Sequence, residues 1–436
     1  MKIKVNFKYL IIASLPFFLY GCGETTVTPT PTPSASTSQV VLHWWGVFDS
    51  TSDVQPLITK YLAQNPNVKD IQYVQKPING DSGLENYVKT IDTAIADKDQ
   101  TPDIFMIQNT WAGKYKSLVS LAPSSLIDAT YLANYYSVVK SDFYTTNGTI
   151  ALPQWMDALA IIYNQSELQA AGYSAPAIQW SDFALQAAKL TVKNNGTITR
   201  GGFAAGFYTN VQFRFDLINL LMAVNGVSMT NPGNTQATFY SPANKDETDS
   251  AVKFFSDLGQ SSWSKNMKLD VAAFLEGNLA MFAAPSWRLL DILNYQKQYS
   301  LNLSIGVAQV PQLSNYSAYW PTYWAYTVSK TSPNATEAWK FIKFLDQEEN
   351  LTLYDQTVKQ NGRPIGIIFP LKSMNTNLAN DNYLGPYVKE LDNAQSWYMF
   401  DGLKMKRTFE TFLGTPENLN NIQGLQDQAT SIMQGQ

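Results

Sequence analysis

Apolar positions along the chain fall into two rhythms. Residues 40–45 form a short apolar run suited to a buried strand. Residues 54–65 then place Leu57, Ile58, Tyr61 and Leu62 on one helical face. The alternation repeats with a strand over 71–75, a helix over 84–96 carrying Tyr87, Val88, Ile91 and Ile95 in register, and a strand over 103–107 introduced by Pro102. Strands alternating with helices across short connections predict a parallel sheet in an α/β domain. Ligands of such sheets gather at the carboxyl ends of the strands. Further strands are predicted over 158–163, 279–283, 304–309 and 325–328. Helices are predicted over 166–171, 181–193 with Ser181 as N-cap, 212–225, 246–258, 334–345, 347–359 and about 419–433.

The first residues follow a different rule. Lys2, Lys4 and Lys8 precede an apolar stretch over 9–20, which as a helix is too short to cross about 30 Å of hydrocarbon but fits a signal-peptide core. The run Leu19-Tyr20-Gly21-Cys22 resembles a bacterial lipobox, with Tyr20 standing where a small residue is usual. That resemblance implies cleavage before Cys22 and lipidation of its thiol. Residues 22–39 hold the Thr-Pro repeat Val27-Thr28-Pro29-Thr30-Pro31-Thr32-Pro33 and little apolar surface. They read as an extended tether between an anchor and a globular body.

Composition removes several chemistries. The 436 residues carry one Cys and one His, so an internal disulfide and a Cys/His zinc set are absent from the expectation, and a catalytic triad would have only His43. No metal or cofactor is expected. The net charge is −4 with no basic block, which gives a nucleic-acid partner no electrostatic support. Aromatic residues reach 13%, including 11 Trp and 24 Tyr, enough both to fill cores and to line a pocket.

Four stretches carry a resemblance. They are Pro102-Asp103-Ile104-Phe105 with the residues 111–121 that follow; Ala151-Leu152-Pro153 with Asp157-Ala158-Leu159-Ala160-Ile161-Ile162-Tyr163-Asn164; Trp180-Ser181-Asp182-Phe183 with Ala187-Ala188-Lys189-Leu190-Thr191; and the run 274–282 with Ser286-Trp287. In this order they resemble extracellular solute-binding protein family 1, the sugar-binding group that includes maltose-binding proteins, over about residues 40–355. The resemblance implies an α/β, two-lobed periplasmic-binding-protein-like fold of type II, with a ligand cleft between lobes joined by a hinge. The first lobe is expected from 40–155 plus about 270–330, the second from 156–269 plus about 331–436. The hinge is expected near Pro153 to Asp157 and near Pro285 or Pro311. The implied partners are a sugar or oligosaccharide, the transmembrane subunits of an ABC permease, and the membrane through the lipid anchor. The protein is expected to act as a monomer outside the cytoplasm.

A sugar needs aromatic platforms for its ring faces and paired donors and acceptors for its hydroxyls, because unmatched buried polar groups cost about 1–3 kcal/mol each. Candidates at segment ends are Trp44 and Trp45, which face opposite sides of a strand; Gln108, Asn109 and Trp111 after the third strand; and Trp155 and Asp157 at the crossover. Asp157 reads either as an acceptor of hydroxyl protons or as a cap. Trp287 matches the family's ligand-side aromatic position, and Arg288 reads as a ligand contact or a surface ion pair. Trp320, Tyr323 and Trp324 replace glycines of the family's binding loop, and Arg363 sits where relatives place a cleft residue. Trp397 and Tyr398 are weaker candidates, and His43 reads as a packed, hydrogen-bonded strand residue. Two other functions compete. A glycoside hydrolase would need paired carboxylates, for which only Asp103, Asp157 and Glu276 lie near segment ends. A binding protein for a polyamine, anion or peptide would need more charge in the cleft.

Overall fold

In the computed structural model, which describes residues 39–78, 83–97, 101–313 and 317–436, two sheets divide the strands. The expected signal segment, Cys22 and the Thr-Pro tether lie outside the described residues. No helix among the described residues is long and apolar enough to cross a membrane.

The first sheet has the order β2-β1-β3-β13-β4. Strands β1 (Val40–Gly46) and β2 (Val68–Gln75) run parallel with Trp44 opposite Tyr73, and β3 (Ile104–Gln108) continues the parallel set. Beyond them lies β4 (Val119–Ser120), followed in the chain by the small hairpin of β5 (Tyr144–Thr145) and β6 (Gly148–Thr149). Residues 104–107 of β3 are fully buried, as a strand covered on both faces requires. Helix Thr51–Gln64 buries Val54, Leu57, Ile58 and Tyr61, nearly the face read from the sequence. Its N-terminus is fixed by Asp53, whose Oδ2 accepts the Ser50 backbone N–H at 2.8 Å.

Strand β7 (Leu152–Pro153) leads out of the first sheet into β8 (Ala160–Asn164), the start of the second. The second sheet has the order β12-β8-β11-β10-β9. The hairpin of β9 (Val192–Asn194) and β10 (Thr197–Phe203) forms one edge, and β11 (Leu279–Ala284) and β12 (Ile305–Ala308) flank β8 antiparallel. Helices Trp180–Leu190 and Lys245–Ser262 pack on β10. The first of these begins at Trp180 with Gln179 as N-cap, so Ser181 lies inside the helix rather than capping it.

Strand β13 (Trp324–Ser329) returns to the first sheet, antiparallel to β3. Helix Ala335–Leu345 packs on it, and helix Glu348–Gln360 packs on Thr51–Gln64. The Tyr61 hydroxyl donates to Glu337 at 2.7 Å, tying Thr51–Gln64 to Ala335–Leu345. This pairing differs from the expected lobe composition. Within the span expected to complete the first lobe, β11 and β12 belong to the second sheet and only β13 to the first. The helices after β13 stay with the first sheet, and only later residues return to the second. An apolar run specifies a buried strand, but either sheet could accept it; pairing with partners more than a hundred residues away decides.

The chain segments that cross between the sheets lie side by side. The Met156 N–H donates to Ile368 at 2.8 Å, Leu159 to Trp320 at 3.1 Å, Thr322 to Asp157 at 3.0 Å and Gln395 to Tyr319 at 2.9 Å. The stretch from Pro153 to Asp157 belongs to this set, and Pro311 stands just before the second crossing. Pro285 does not cross, because it caps helix Ser286–Tyr299 inside the second sheet's half.

Candidate functional site

A cavity of about 400 Å³ opens where the two halves meet the crossing segments. From the first half it is lined by the turn after β3, starting at Asn109, and by Ser141 and Asp142 on helix Ser137–Phe143. From the second half come Asn219 on helix Arg214–Val224 and the turn that follows it. Trp320 and residues 395–399 supply the remaining wall.

The aromatic wall is oriented by hydrogen bonds. The Trp320 indole N–H donates to Asp216 Oδ1 at 3.0 Å, and that of Trp397 to Asn219 Oδ1 at 2.7 Å. Asp216 and Asn219 lie one turn apart on the same helix, so a single element holds both rings. Burial raises the Asp216 pKa, against the lowering effects of Lys406 and the indole bond. The segment carrying Trp397 and Tyr398 docks tightly on the first half. The Lys114 N–H donates to the Phe400 carbonyl at 2.8 Å, and a Cβ at Gly113 would meet the Phe400 Cα at 2.5 Å. Only glycine allows that approach, and Phe400 itself holds φ +61°.

Asp142 is the charged group of the cavity lining. It accepts from Asn109 Nδ2 at 3.1 Å, from the Tyr323 hydroxyl at 2.6 Å and from the Ser396 hydroxyl. Burial pushes its carboxyl up to about 6, while these three bonds pull the other way.

The structure separates the sequence candidates. Trp44 is fully buried, edge-on to Tyr73 at 4.7 Å and Phe341 at 5.1 Å, so it is core. Trp45 is half-buried on the other face of the strand with Lys76 Nζ 4.1 Å from its ring centre. Trp111 and Trp324 are buried against each other at 4.9 Å. Gln108 reaches Thr322 at 3.4 Å, and Asn109 faces the cavity. Trp155 is half-buried, 5.9 Å from exposed Phe48, at the carboxyl end of the first sheet.

Asp157 takes the capping role. Its Oδ1 accepts the backbone N–H groups of Ala158 (2.9 Å) and Ser286 (2.8 Å), and its Oδ2 accepts the Ser286 hydroxyl (2.8 Å) and the Trp287 N–H (3.3 Å). Both oxygens are therefore engaged at the start of helix Ser286–Tyr299, and burial pushes the carboxyl up to about 7. Trp287 is half-exposed, edge-on to Phe213 at 5.7 Å, under the Arg288 guanidinium at 4.4 Å. Arg288 forms the surface pair weighed for it, with Asp291 at 2.8 Å. Tyr323 is buried and reaches the cavity through Asp142. Arg363 sits beside Asp49 and Asp53 rather than at the cavity. His43 is exposed, not packed, with Nδ1 3.3 Å from Asp103.

The carboxylates weighed for hydrolysis have other partners. Asp103 accepts the His43 N–H at 2.8 Å and the Ser332 hydroxyl, and Glu276 pairs with Lys268 at the surface. Among the described residues, no group of three His, Cys, Asp or Glu side chains is placed to hold a metal.

Sequence reading missed Asp142, Asn219 and Ser396. For Asn219 a signal exists, since Asp216 and Asn219 are polar at i, i+3 inside the otherwise apolar run 215–224. Buried polar groups in such a helix need partners, and here the partners are the two indoles. Asp142 sits on a seven-residue helix with no clear periodicity, and Ser396 in an irregular segment.

Known proteins share this architecture. The sugar-binding protein MalE from the phytopathogen Xanthomonas citri superposes with a TM-score of 0.71 at 16% identity, covering 91% of this chain and 98% of that one. The cyclic α-maltosyl-1,6-maltose binding protein from Arthrobacter globiformis gives 0.71 at 16% identity, covering 91% and 100%. An ABC transporter solute-binding protein from Thermotoga lettingae, bound with α-D-tagatose, gives 0.69 at 17% identity, covering 90% and 99%. At such identities the likeness establishes the two-lobed fold. The sequence over residues 48–351 matches the family described as bacterial extracellular solute-binding protein, and with most of the chain inside that match, the chain belongs to this family.

Proposed function

We propose that this chain is the capture subunit of an ABC importer and that its cleft takes a sugar or oligosaccharide. The observation that carries this reading is the lining of the cavity. Half-buried Trp397 and Tyr398 present aromatic surface with Trp320 packed behind them, Asn, Gln, Ser and Thr side chains present neutral donors and acceptors, and among the described residues no Lys or Arg lines it. Ring faces suit the apolar side of a pyranose, and amides and hydroxyls suit its hydroxyl pattern. The sugar-binding proteins among its structural relatives point the same way.

Capture follows from the geometry. A ligand touching Asn109 and Asp142 on one side and Asn219 on the other bridges the two halves. It therefore binds the closed arrangement more tightly than an open one and shifts the population towards closure. The side-by-side crossing segments near 154–158 and 319–322 are the hinge about which the halves swing. The closed form then docks on the membrane permease as a monomer. Lipidation at Cys22 and the Thr-Pro tether would keep the body near that permease, and processing at the lipobox would place it outside the cytoplasm.

The test is thermal-shift screening of the purified protein against mono- and oligosaccharides. A ligand at 100 times its Kd should add about 2.7 kcal/mol of stability, seen as a clear rise in Tm. A rise with one sugar and not its epimers supports the proposal. A flat response to all sugars, with a rise for a polyamine, an anion or a peptide, would move the function to that ligand class. Sugar release from an oligosaccharide by the purified protein would move it to hydrolysis.

A further inference from the structure

Asp142 is unusual among the groups around the cavity because no cation among the described residues neutralises it. It lies in the last turn of helix Ser137–Phe143, where the helix dipole disfavours an anion. Its three partners, Asn109, Tyr323 and Ser396, are all neutral, and among the described residues no Lys or Arg lies within ion-pair distance of it. The other carboxylates at the cleft walls are better provided. Asp157 has backbone N–H groups at a helix start, and Asp216 has Lys406 nearby.

The carboxylate also retains capacity. An ionised carboxylate offers about four acceptor positions, and the three donors leave room for one more from the cavity side. A neutral hydroxyl would fill that position but leave the charge in place. An ammonium would fill it and compensate the charge, and charge-assisted bonds are about twice as strong as neutral ones. The same cavity carries half-buried Trp397, whose ring face attracts cations. The absence of Lys and Arg from the lining means no repulsion opposes a positively charged guest.

We propose, building on the saccharide reading above, that the cleft is built for a sugar bearing a protonated amine, with Asp142 as its counter-ion. The amine sits against the Asp142 carboxylate near Asn109 and Ser396. The remaining hydroxyls meet the amide and hydroxyl groups of the second half, including Asn219. A single carboxylate selects one amine, which sets this ligand apart from a polyamine.

Isothermal titration of the full chain with matched sugar triplets tests this. Each triplet holds the free 2-amino or 6-amino sugar, its N-acetyl derivative and the parent hydroxyl sugar, in gluco, galacto and manno series, as mono- and disaccharides. The free amine should bind at least roughly tenfold more tightly than both relatives in the series that binds. Asp142→Asn should erase that difference, bringing the affinity for the free amine down to that for its N-acetyl and hydroxyl relatives measured on the same variant. Equal or tighter binding of the hydroxyl parent by the unaltered protein overturns the counter-ion role yet leaves a neutral-sugar receptor standing. No heat with any member of any triplet overturns the counter-ion role and the saccharide reading together. The comparison within unaltered protein decides the question even if Asp142→Asn does not fold.

Discussion

Two groups of tryptophans, alike in sequence, have opposite situations. Trp44 and Trp111 lie in the first lobe's core, ring edges against other aromatic rings, and their indole N–H groups have no hydrogen-bond partner. Trp320 and Trp397 lie at the cavity, and their N–H groups are tied to Asp216 and Asn219. The first group is held by close packing from all sides. Trp397 is only half-buried and lacks atoms on its cavity side, so a polar tether helps to fix its ring, whereas Trp320 is packed as closely as the core rings and is tethered as well. Enclosure alone does not decide whether an indole is tethered, since fully buried Trp339 donates to the Ser120 carbonyl at 2.9 Å; what sets the cavity pair apart is that one helix anchors both rings and so fixes how they stand towards the cavity.

The largest expected effect lies in the core group. Trp44→Ala should destabilise folding by about 3–5 kcal/mol, read from the urea midpoint, because it leaves a large void in a close-packed layer. Ligand affinity of the remaining folded protein should stay unchanged; a parallel loss of affinity would break the division between the groups. Next comes the cavity group. Trp397→Ala should weaken sugar binding by about 2 kcal/mol, roughly thirtyfold, with a smaller loss of stability. Unaltered affinity in a calorimetric titration would move Trp397 from platform to packing.

The smallest effect concerns the carboxylate beside the rings. The Asp142 carboxyl is raised to about 6 from 3.8. The folded protein therefore holds a proton there that the unfolded chain has released, across the window from about pH 4 to about pH 6. Its contribution to stability is full below that window and is lost as pH rises through it. Asn109, Tyr323 and Ser396 face this group, and none of them titrates in that range. Asp142→Asn should lower the slope of this part of the stability profile of ligand-free protein, the remainder coming from Asp49, Asp157 and Asp270, which burial raises in the same sense, and an unchanged slope would place the titration elsewhere.

Much of the architecture was legible. The continuous apolar runs of β3, β8 and β11 marked buried strands, and the spacing of Leu57, Ile58, Tyr61 and Leu62 marked a helix with one apolar face, of which the structure buries the first three together with Val54. Helices Ser137–Phe143 and Gly402–Leu413 were not legible, the first because it is short and the second because its buried Leu403, Met405, Phe409 and Phe412 sit among charged residues. Of the site candidates, Asn109 and Trp320 line the cavity, while Trp44, Trp111 and Trp324 are core. Residue type cannot separate these, since an indole serves equally well as filling or as platform.

The sequence by itself determined most of the secondary elements, the alternation that makes an α/β protein and the aromatic, amide-rich chemistry available to a pocket. Those properties are local, set by side-chain period and composition. The tertiary structure alone decided that β11 and β12 pair with β8 while β13 returns to β3, that Asp157 caps helix Ser286–Tyr299, and that Asp142, Asn219 and Trp397 meet around one cavity. These residues are separated by dozens to hundreds of positions. Their meeting depends on which long-range strand pairs form, and strand pairing is a property of two segments at once, which no single stretch of sequence records.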